Sequence, residues 1–196
     1  MPKPNFICIG VQKGGTTSLI KYLNQHPKIY LQDEKHFFDK PKITLRQLIN
    51  YEKSFRNKKP IRGEKTPSYC YLNYAMNRIY RYKHNIKLIL ILREPIKRAW
   101  SQYNMDLNRK NININNLSED EITNYFKKQK NIKLSNIKCN GENIIVRGYY
   151  DKIISNILSK FPRKNIKICI SEEIKENKKN EYNKIFKFLG TYPLNK

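Results

Sequence analysis

The chain has 196 residues, 39% hydrophobic and 12% aromatic, which suits one domain spanning 1–196 with a sizeable core and argues against global disorder. Its formal charge of +24 invites a polyanionic partner, but lysine, isoleucine and asparagine all have A/T-rich codons, so genome composition explains the charge equally well. No apolar stretch is long enough to span a bilayer and the start MPKPNF lacks a signal-peptide core, so a soluble, cytoplasmic protein without a transmembrane segment is expected.

In chain order, NFICI (residues 5–9) is a short apolar run suited to a buried parallel strand. GVQKGGTTSL follows, and Leu19, Ile20 and Leu23 then form a helical stripe that stops at Pro27. KLILILREP is the strongest strand signal, with Arg93 at its end and Pro95 placed for the first turn of a helix. Ile96, Ala99, Trp100, Tyr103 and Leu107 mark the expected apolar face of that helix. Residues 108–116 are asparagine-rich and read as a mobile loop, and 108–142 as an insertion able to serve as an acceptor lid. Tyr150, Ile153, Ile154, Ile157, Leu158 and Phe161 make another helical stripe before NIKICI returns as a strand. A last helix carries Tyr182, Ile185, Phe186 and Leu189 and ends at Gly190. Alternating strands and helices predict an α/β fold with three layers, a central, mainly parallel sheet flanked by helices. Cys8, Cys70, Cys139 and Cys169 have no metal-ligand spacing and are expected as reduced thiols, Cys8 and Cys169 within core strands.

A glycine turn between strand and helix aims backbone N–H groups at an anion, and the helix start favours negative charge. Lys13, Gly14, Gly15, Thr16, Thr17 and Ser18 are therefore candidate phosphate-binding residues. An ATP loop needs GxxxxGK[ST]. Aligned on Gly10 and Gly15, this chain has Thr16 where that lysine belongs. The strand that would end in a magnesium-binding aspartate ends instead in Arg93. The pattern predicts a nucleotide bound without metal, with anionic groups gripped at two separate places.

IGVQKGGTTSLIKYLNQHP resembles the phosphosulfate-binding loop of sulfotransferases that use 3′-phosphoadenosine-5′-phosphosulfate (PAPS). LREPIKRAWSQY resembles the second signature of these P-loop-like enzymes, which binds the donor's 3′-phosphate. EKHFFD and GEKTPSY, between them, are similar to segments of the heparan sulfate glucosaminyl 3-O-sulfotransferases, and RGYYDKII, FPRKNIKICISEEI and FLG resemble the family's C-terminal half. The resemblance implies transfer of a sulfuryl group from PAPS to an acceptor hydroxyl, on a sugar or glycan, with release of adenosine 3′,5′-bisphosphate. It assigns Lys13 to the leaving phosphate, Glu34 as catalytic base, His36 and Asp39 as orienting groups, and Lys65 to a place near donor and acceptor. Arg93 and Ser101 correspond to the 3′-phosphate site, and Arg147 and Gly148 to its neighbourhood. Phe37 and Phe38 read as wall and core. Lys97 shares the polar side of its helix with Ser101, and Arg98 reads either as a further source of positive field or as a solvated helix charge. Thr17 stands where several 3-O-type enzymes have arginine, as in N-sulfotransferases, so the acceptor class stays open between the two. A P-loop nucleotide or small-molecule kinase and a non-catalytic basic module that binds a glycan or nucleic acid are the competing readings. The missing loop lysine opposes the first, and the lack of any zinc finger, RNP-like motif or basic heptad opposes a specific nucleic-acid partner.

Overall fold

A computed structural model describes residues 2–56, 59–130 and 143–194. Five strands form one wholly parallel sheet in the order β2-β3-β1-β4-β5. They are β1 (Phe6–Gly10), β2 (Ile29–Gln32), β3 (Ile61–Lys65), β4 (Lys87–Leu92) and β5 (Ile166–Ile170). The helices are α1 (Thr16–Leu23), α2 (Leu45–Lys53), α3 (Asn73–Tyr82), α4 (Pro95–Arg109), α5 (Glu119–Gln129), α6 (Tyr150–Leu158), α7 (Ser171–Glu176) and α8 (Lys178–Leu189).

Strand side chains alternate between faces, and the central strands divide their apolar residues accordingly. Ile7 and Ile9 of β1, with Leu88, Leu90 and Leu92 of β4, pack against Tyr51 of α2, Ala75, Met76 and Ile79 of α3, and Ile153 and Ile157 of α6. Phe6 and Cys8, with Ile89 and Ile91, pack on the other face against Leu19 and Leu23 of α1 and Tyr182, Ile185 and Phe186 of α8. This is the expected three-layer arrangement. The three described cysteines, Cys8, Cys70 and Cys169, are free and buried, while Cys139 lies outside the described residues. Burial pushes the Cys8 and Cys70 thiols up to about 12 and Cys169 to about 11, so they behave as small apolar side chains.

Four expectations change in detail. β2 and β3 were hidden from hydropathy because IYLQ is short and IRGEK is largely polar, yet Glu64 and Lys65 are buried. The face of α4 is rotated from the periodic reading: Ile96 is 78% exposed and Trp100 44%, while Arg98 and Gln102 are buried beside Tyr103 and Leu107. The buried side of α4 meets Ile144, so Arg98 is no solvated charge; it donates to Gln102 Oε1 at 2.7 Å and to the Ile144 carbonyl. Residues 108–116 are not a continuous loop: Asn108 and Arg109 finish α4, and Ile114–Asn116 make a 3-10 turn. Within the expected lid, α5 forms behind a capping box in which Ser118 and Glu121 satisfy each other's backbone N–H groups; residues 131–142 of that segment lie outside the described residues.

The C-terminal helix matches its reading. Asn177 caps the start of α8, and Gly190 closes it with a left-handed φ of 90° that a side chain would resist. The parallel sheet brings all strand ends to one edge. The chain leaves β1 for an edge strand and returns through β3 beside it, and β4 then pairs on the other side. That reversal opens a crevice at the carboxyl ends of β1 and β4, the place where open α/β sheets bind ligands.

Candidate functional site

The turn after β1 is built from the protein outward. Val11 N–H bonds the Ile91 carbonyl at 2.9 Å and Gly14 N–H bonds the Val11 carbonyl at 3.0 Å, folding the turn against β4. Gly14 is required by that approach, because a Cβ there would lie 2.6 Å from the Ile91 oxygen. Gly15 takes a φ of 97° as the N-cap of α1 and offers no side-chain acceptor to the first turn. Ser18 N–H turns back to the Gly15 carbonyl at 3.1 Å, so the Thr16 and Thr17 N–H groups are those at the start of α1 that can meet a ligand. Thr16 is buried, whereas Thr17 and Ser18 are exposed beside it.

Next to this turn lies a cavity of about 680 Å³ lined by Lys13, Arg93, Lys97 and Arg109, with Trp100, Ser101, Asn104, Met105 and Asn108. Among the described residues four cations and no carboxylate line it. Arg93 donates to the Lys13 carbonyl at 3.1 Å, and its Nε is buried without a partner among the described residues. Glu94 caps α4, accepting from Ile96 and Lys97 N–H at 2.9 and 2.6 Å, and so fixes the helix that carries Ser101. Arg147 reaches the loop from behind: it bonds Gln12 Oε1 and lies 4.5 Å over the Tyr71 ring. Gly148 packs against Pro95, and the Tyr150 hydroxyl donates to the Arg93 carbonyl at 2.7 Å. Lys13, Arg93 and Ser101 meet in the cavity, and Arg147 and Gly148 buttress it.

The second group follows β2 and β3. Lys65 Nζ, at the end of β3, bonds Glu34 Oε1 at 2.9 Å and Asp33 Oδ1 at 2.8 Å. Glu34 Oε2 lies 2.9 Å from His36 Nε2, and His36 Nδ1 lies 2.7 Å from Asp39 Oδ2, which also accepts from the Ser68 hydroxyl at 2.7 Å. Lys65, Glu34, His36 and Asp39 therefore form one continuous chain. Burial opposes the Lys65 ammonium, but Asp33 and Glu34 outweigh it and hold its pKa above the ordinary lysine value. Burial likewise opposes a charged His36, and Asp39 with Glu34 outweighs it, leaving the imidazole pKa above its usual value. The Lys65 ammonium holds the Asp33 carboxyl below the usual range. Phe37 and Phe38 are buried, as expected of wall and core. The Phe37 ring stacks on Tyr51 at 4.1 Å.

Both groups stand on one sheet edge. β1 pairs with β3 at Cys8 and Lys65, and Thr66 N–H bonds the Cys8 carbonyl at 3.0 Å. Sequence reasoning missed Asp33, whose acid beside Glu34 carries no periodic signal. It also missed Asn104, Met105, Asn108 and Arg109, although these continue the helical spacing from Lys97 and Ser101. Trp100, expected on the apolar face, lines the cavity instead.

The Sulfotransferase domain family matches residues 3–196. Heparan sulfate glucosamine 3-O-sulfotransferase 5 of Mus musculus is 32% identical over 195 residues, covering 97% of this chain and 54% of that protein. The chain thus spans about half the length of that relative. Membrane-associated sulfotransferase kil1 of Dictyostelium discoideum is 37% identical over 110 residues, 53% of this chain and 23% of that protein. A sulfotransferase from Alicyclobacillus acidocaldarius superposes with a TM-score of 0.78 at 24% identity, covering 99% of this chain and 85% of its own. A mouse sulfotransferase complexed with PAP superposes with a TM-score of 0.63 at 20% identity, covering 98% and 60%. Among the described residues no helix is long and apolar enough to cross a membrane.

Proposed function

The chain belongs to the sulfotransferase domain family, and from that premise we propose that it transfers a sulfuryl group from PAPS to a hydroxyl of a carbohydrate acceptor. The observation that carries the reading is the cation-lined cavity, which Lys13 of the glycine turn, Arg93 at the end of β4 and Ser101 of α4 line together. The fit to a doubly phosphorylated nucleotide is chemical. The start of α1 offers N–H donors for one phosphate, and Arg93 and Ser101 offer a guanidinium and a hydroxyl for another. Arg93 Nε, buried with no acceptor among the described residues, is a donor available to that phosphate. PAPS supplies an activated sulfuryl group attached to a phosphate leaving group.

In the transfer, the acceptor oxygen forms a bond to sulfur while the bond from sulfur to the bridging phosphate oxygen breaks. Glu34 takes the proton of the acceptor hydroxyl. Lys13 neutralises the charge that gathers on the departing 5′-phosphate, so adenosine 3′,5′-bisphosphate leaves as the stabilised anion. Lys65 and His36 hold the two oxygens of Glu34, and Asp39 fixes the far nitrogen of His36. A carboxylate held between an ammonium and an imidazole is oriented before the acceptor arrives, so little reorganisation accompanies the reaction. The glycan acceptor is supported by the name of the mouse relative, an enzyme of heparan sulfate.

The test is a mass-resolved transfer assay with PAPS against glycans, phenols, amines and tyrosine peptides. It is paired with thermal shifts in adenosine 3′,5′-bisphosphate without metal and in Mg²⁺–ATP. Sulfation of a glycan hydroxyl, with stabilisation by the bisphosphate alone, is the expected result. Stabilisation by Mg²⁺–ATP alone, with no sulfuryl transfer to any acceptor, overturns the proposal.

A further inference from the structure

One buried carboxylate belongs to neither group. Glu64 of β3 is fully buried between β1 and β2, in register with Ile7 and Gln32, and no ion pair to it occurs among the described residues. Instead, three hydroxyls converge on it. Tyr51 donates to Oε1 at 2.7 Å and Thr66 to Oε2 at 2.8 Å, while the Tyr69 hydroxyl lies 3.3 and 3.5 Å from the two oxygens.

Two of these hydroxyls are engaged from the other side. Thr66 Oγ1 accepts from the backbone N–H of Lys35 at 3.2 Å and of His36 at 3.4 Å. The Tyr69 oxygen accepts from Phe37 N–H at 2.9 Å and from Phe38 N–H at 3.2 Å. Backbone N–H groups can only donate, so both hydroxyl oxygens must face the loop with their lone pairs. Each hydroxyl has one proton, and Glu64 is where it goes. Four consecutive amides of the segment carrying Glu34 and His36 are thus held through two hydroxyls by one carboxylate. The segment needs such support, because His36 has a left-handed φ of 45° that a non-glycine residue adopts at a cost.

We propose that Glu64 is a positioning residue for sulfuryl transfer: from beneath the site it orients the Thr66 and Tyr69 hydroxyls so that they fix residues 35–38, and with them Glu34 and His36. Lys65 and Glu64 are neighbours on one strand, so the alternation of side chains sends one to the carboxylates of the site and the other to its foundation. Burial pushes the Glu64 pKa up, and the Tyr51, Thr66 and Tyr69 hydroxyls oppose that rise by bonding the ionised form. A buried charge with no countercharge is a poor source of stability. Its value here is directional, since only an acceptor on both oxygens can orient every hydroxyl.

The catalytic consequence rests on the transfer reading above, whereas the ordering of the loop does not. The experiment compares Glu64→Gln, Thr66→Val, Thr66→Ser and the double variant Glu64→Gln/Thr66→Val. Transfer from PAPS to an N-sulfated heparan oligosaccharide is measured together with amide hydrogen exchange. Glu64→Gln replaces one acceptor by a donor, so a hydroxyl loses its partner. The expected result is a kcat lowered about 100-fold, the scale of an ångström of misplacement, with the KM for PAPS unchanged. Exchange accelerates at residues 35–38 and not in α1. Thr66→Val reproduces the loss, Thr66→Ser recovers most of it, and the double variant is no worse than the more impaired single variant. Wild-type kcat in Glu64→Gln overturns the proposal, as do multiplied losses in the double variant or equal acceleration of exchange along the whole chain. If Glu64→Gln does not fold, the Thr66→Val and Thr66→Ser pair decides alone: equal kcat in the two overturns the proposal. If the wild type sulfates no acceptor, the transfer reading fails, and the exchange comparison still decides whether Glu64 orders the loop.

Discussion

The cavity beside the glycine turn and the carboxylate chain beyond β3 are two halves of one sheet edge, built on opposite electrostatic plans. Among the described residues the cavity gathers Lys13, Arg93, Lys97 and Arg109 with no acid in its lining, and Arg93 Nε has no partner. The other half is internally closed: Lys65, Asp33, Glu34, His36 and Asp39 answer one another within 2.9 Å. The first suits an incoming polyanion, whose charge completes it. The second is already complete, which suits a constellation that must hold its geometry and pass a proton. On the proposed function, binding and chemistry are thereby separable, and the separation can be broken experimentally.

The largest effect is expected at the closed half. Glu34→Gln keeps the shape and removes the proposed base, so kcat should fall by about 10²–10⁴-fold, while calorimetry should find adenosine 3′,5′-bisphosphate binding unchanged. Weakened bisphosphate binding in that variant sinks the separation. Lys13→Ala should lower kcat by about 10²–10³-fold, as for removal of one preorganised electrostatic donor, and single-turnover rates must show the loss. A variant with wild-type single-turnover rates means that Lys13 does not serve the leaving group. Arg93→Ala is expected to weaken bisphosphate binding by about 10–100-fold, the range for a lost charge-assisted hydrogen bond. Titration at rising salt should show the wild-type advantage shrinking.

The smallest effect is thermal and depends on pH. His36 has its pKa raised in the folded chain by Asp39 and Glu34 against the pull of burial. A raised histidine pKa contributes stability that is fully present below the unfolded value of about 6.5 and is lost as pH rises through the folded value. His36→Gln should therefore lower Tm more at about pH 6 than at about pH 9. An equal loss at both ends shows that the imidazole is held by packing and not by its charge.

Much of the site was legible because it is written locally. A strand, glycines and three hydroxyl residues in succession describe a phosphate turn whatever the rest of the chain does. Spacing places Arg93 at a strand end and Ser101 on a helix face, and the family resemblance singles them out as site residues. Glu64 stood inside GEKTPSY beside Lys65, but nothing in that string shows that Tyr51, Thr66 and Tyr69 would converge on it. Arg98 illustrates the opposite limit. Helical spacing sorts residues into faces, but it does not say what each face meets, and the face that meets Ile144 buries a guanidinium. The capping box of Ser118 and Glu121 is readable in LSEDE, although the low-complexity run before it reads as a loop.

By itself, the amino-acid sequence determined the α/β alternation, the glycine turn before α1 and the end of α8 at Gly190, because backbone preference and short-range hydrogen bonding decide such features within a few residues. Only the tertiary structure decided the strand order, the closure of Asp33, Glu34, His36 and Asp39 upon Lys65, and the placing of Glu64 beneath residues 35–38. Those depend on which distant segments share a buried neighbourhood, where each hydroxyl proton must find an acceptor among partners that chain order does not name.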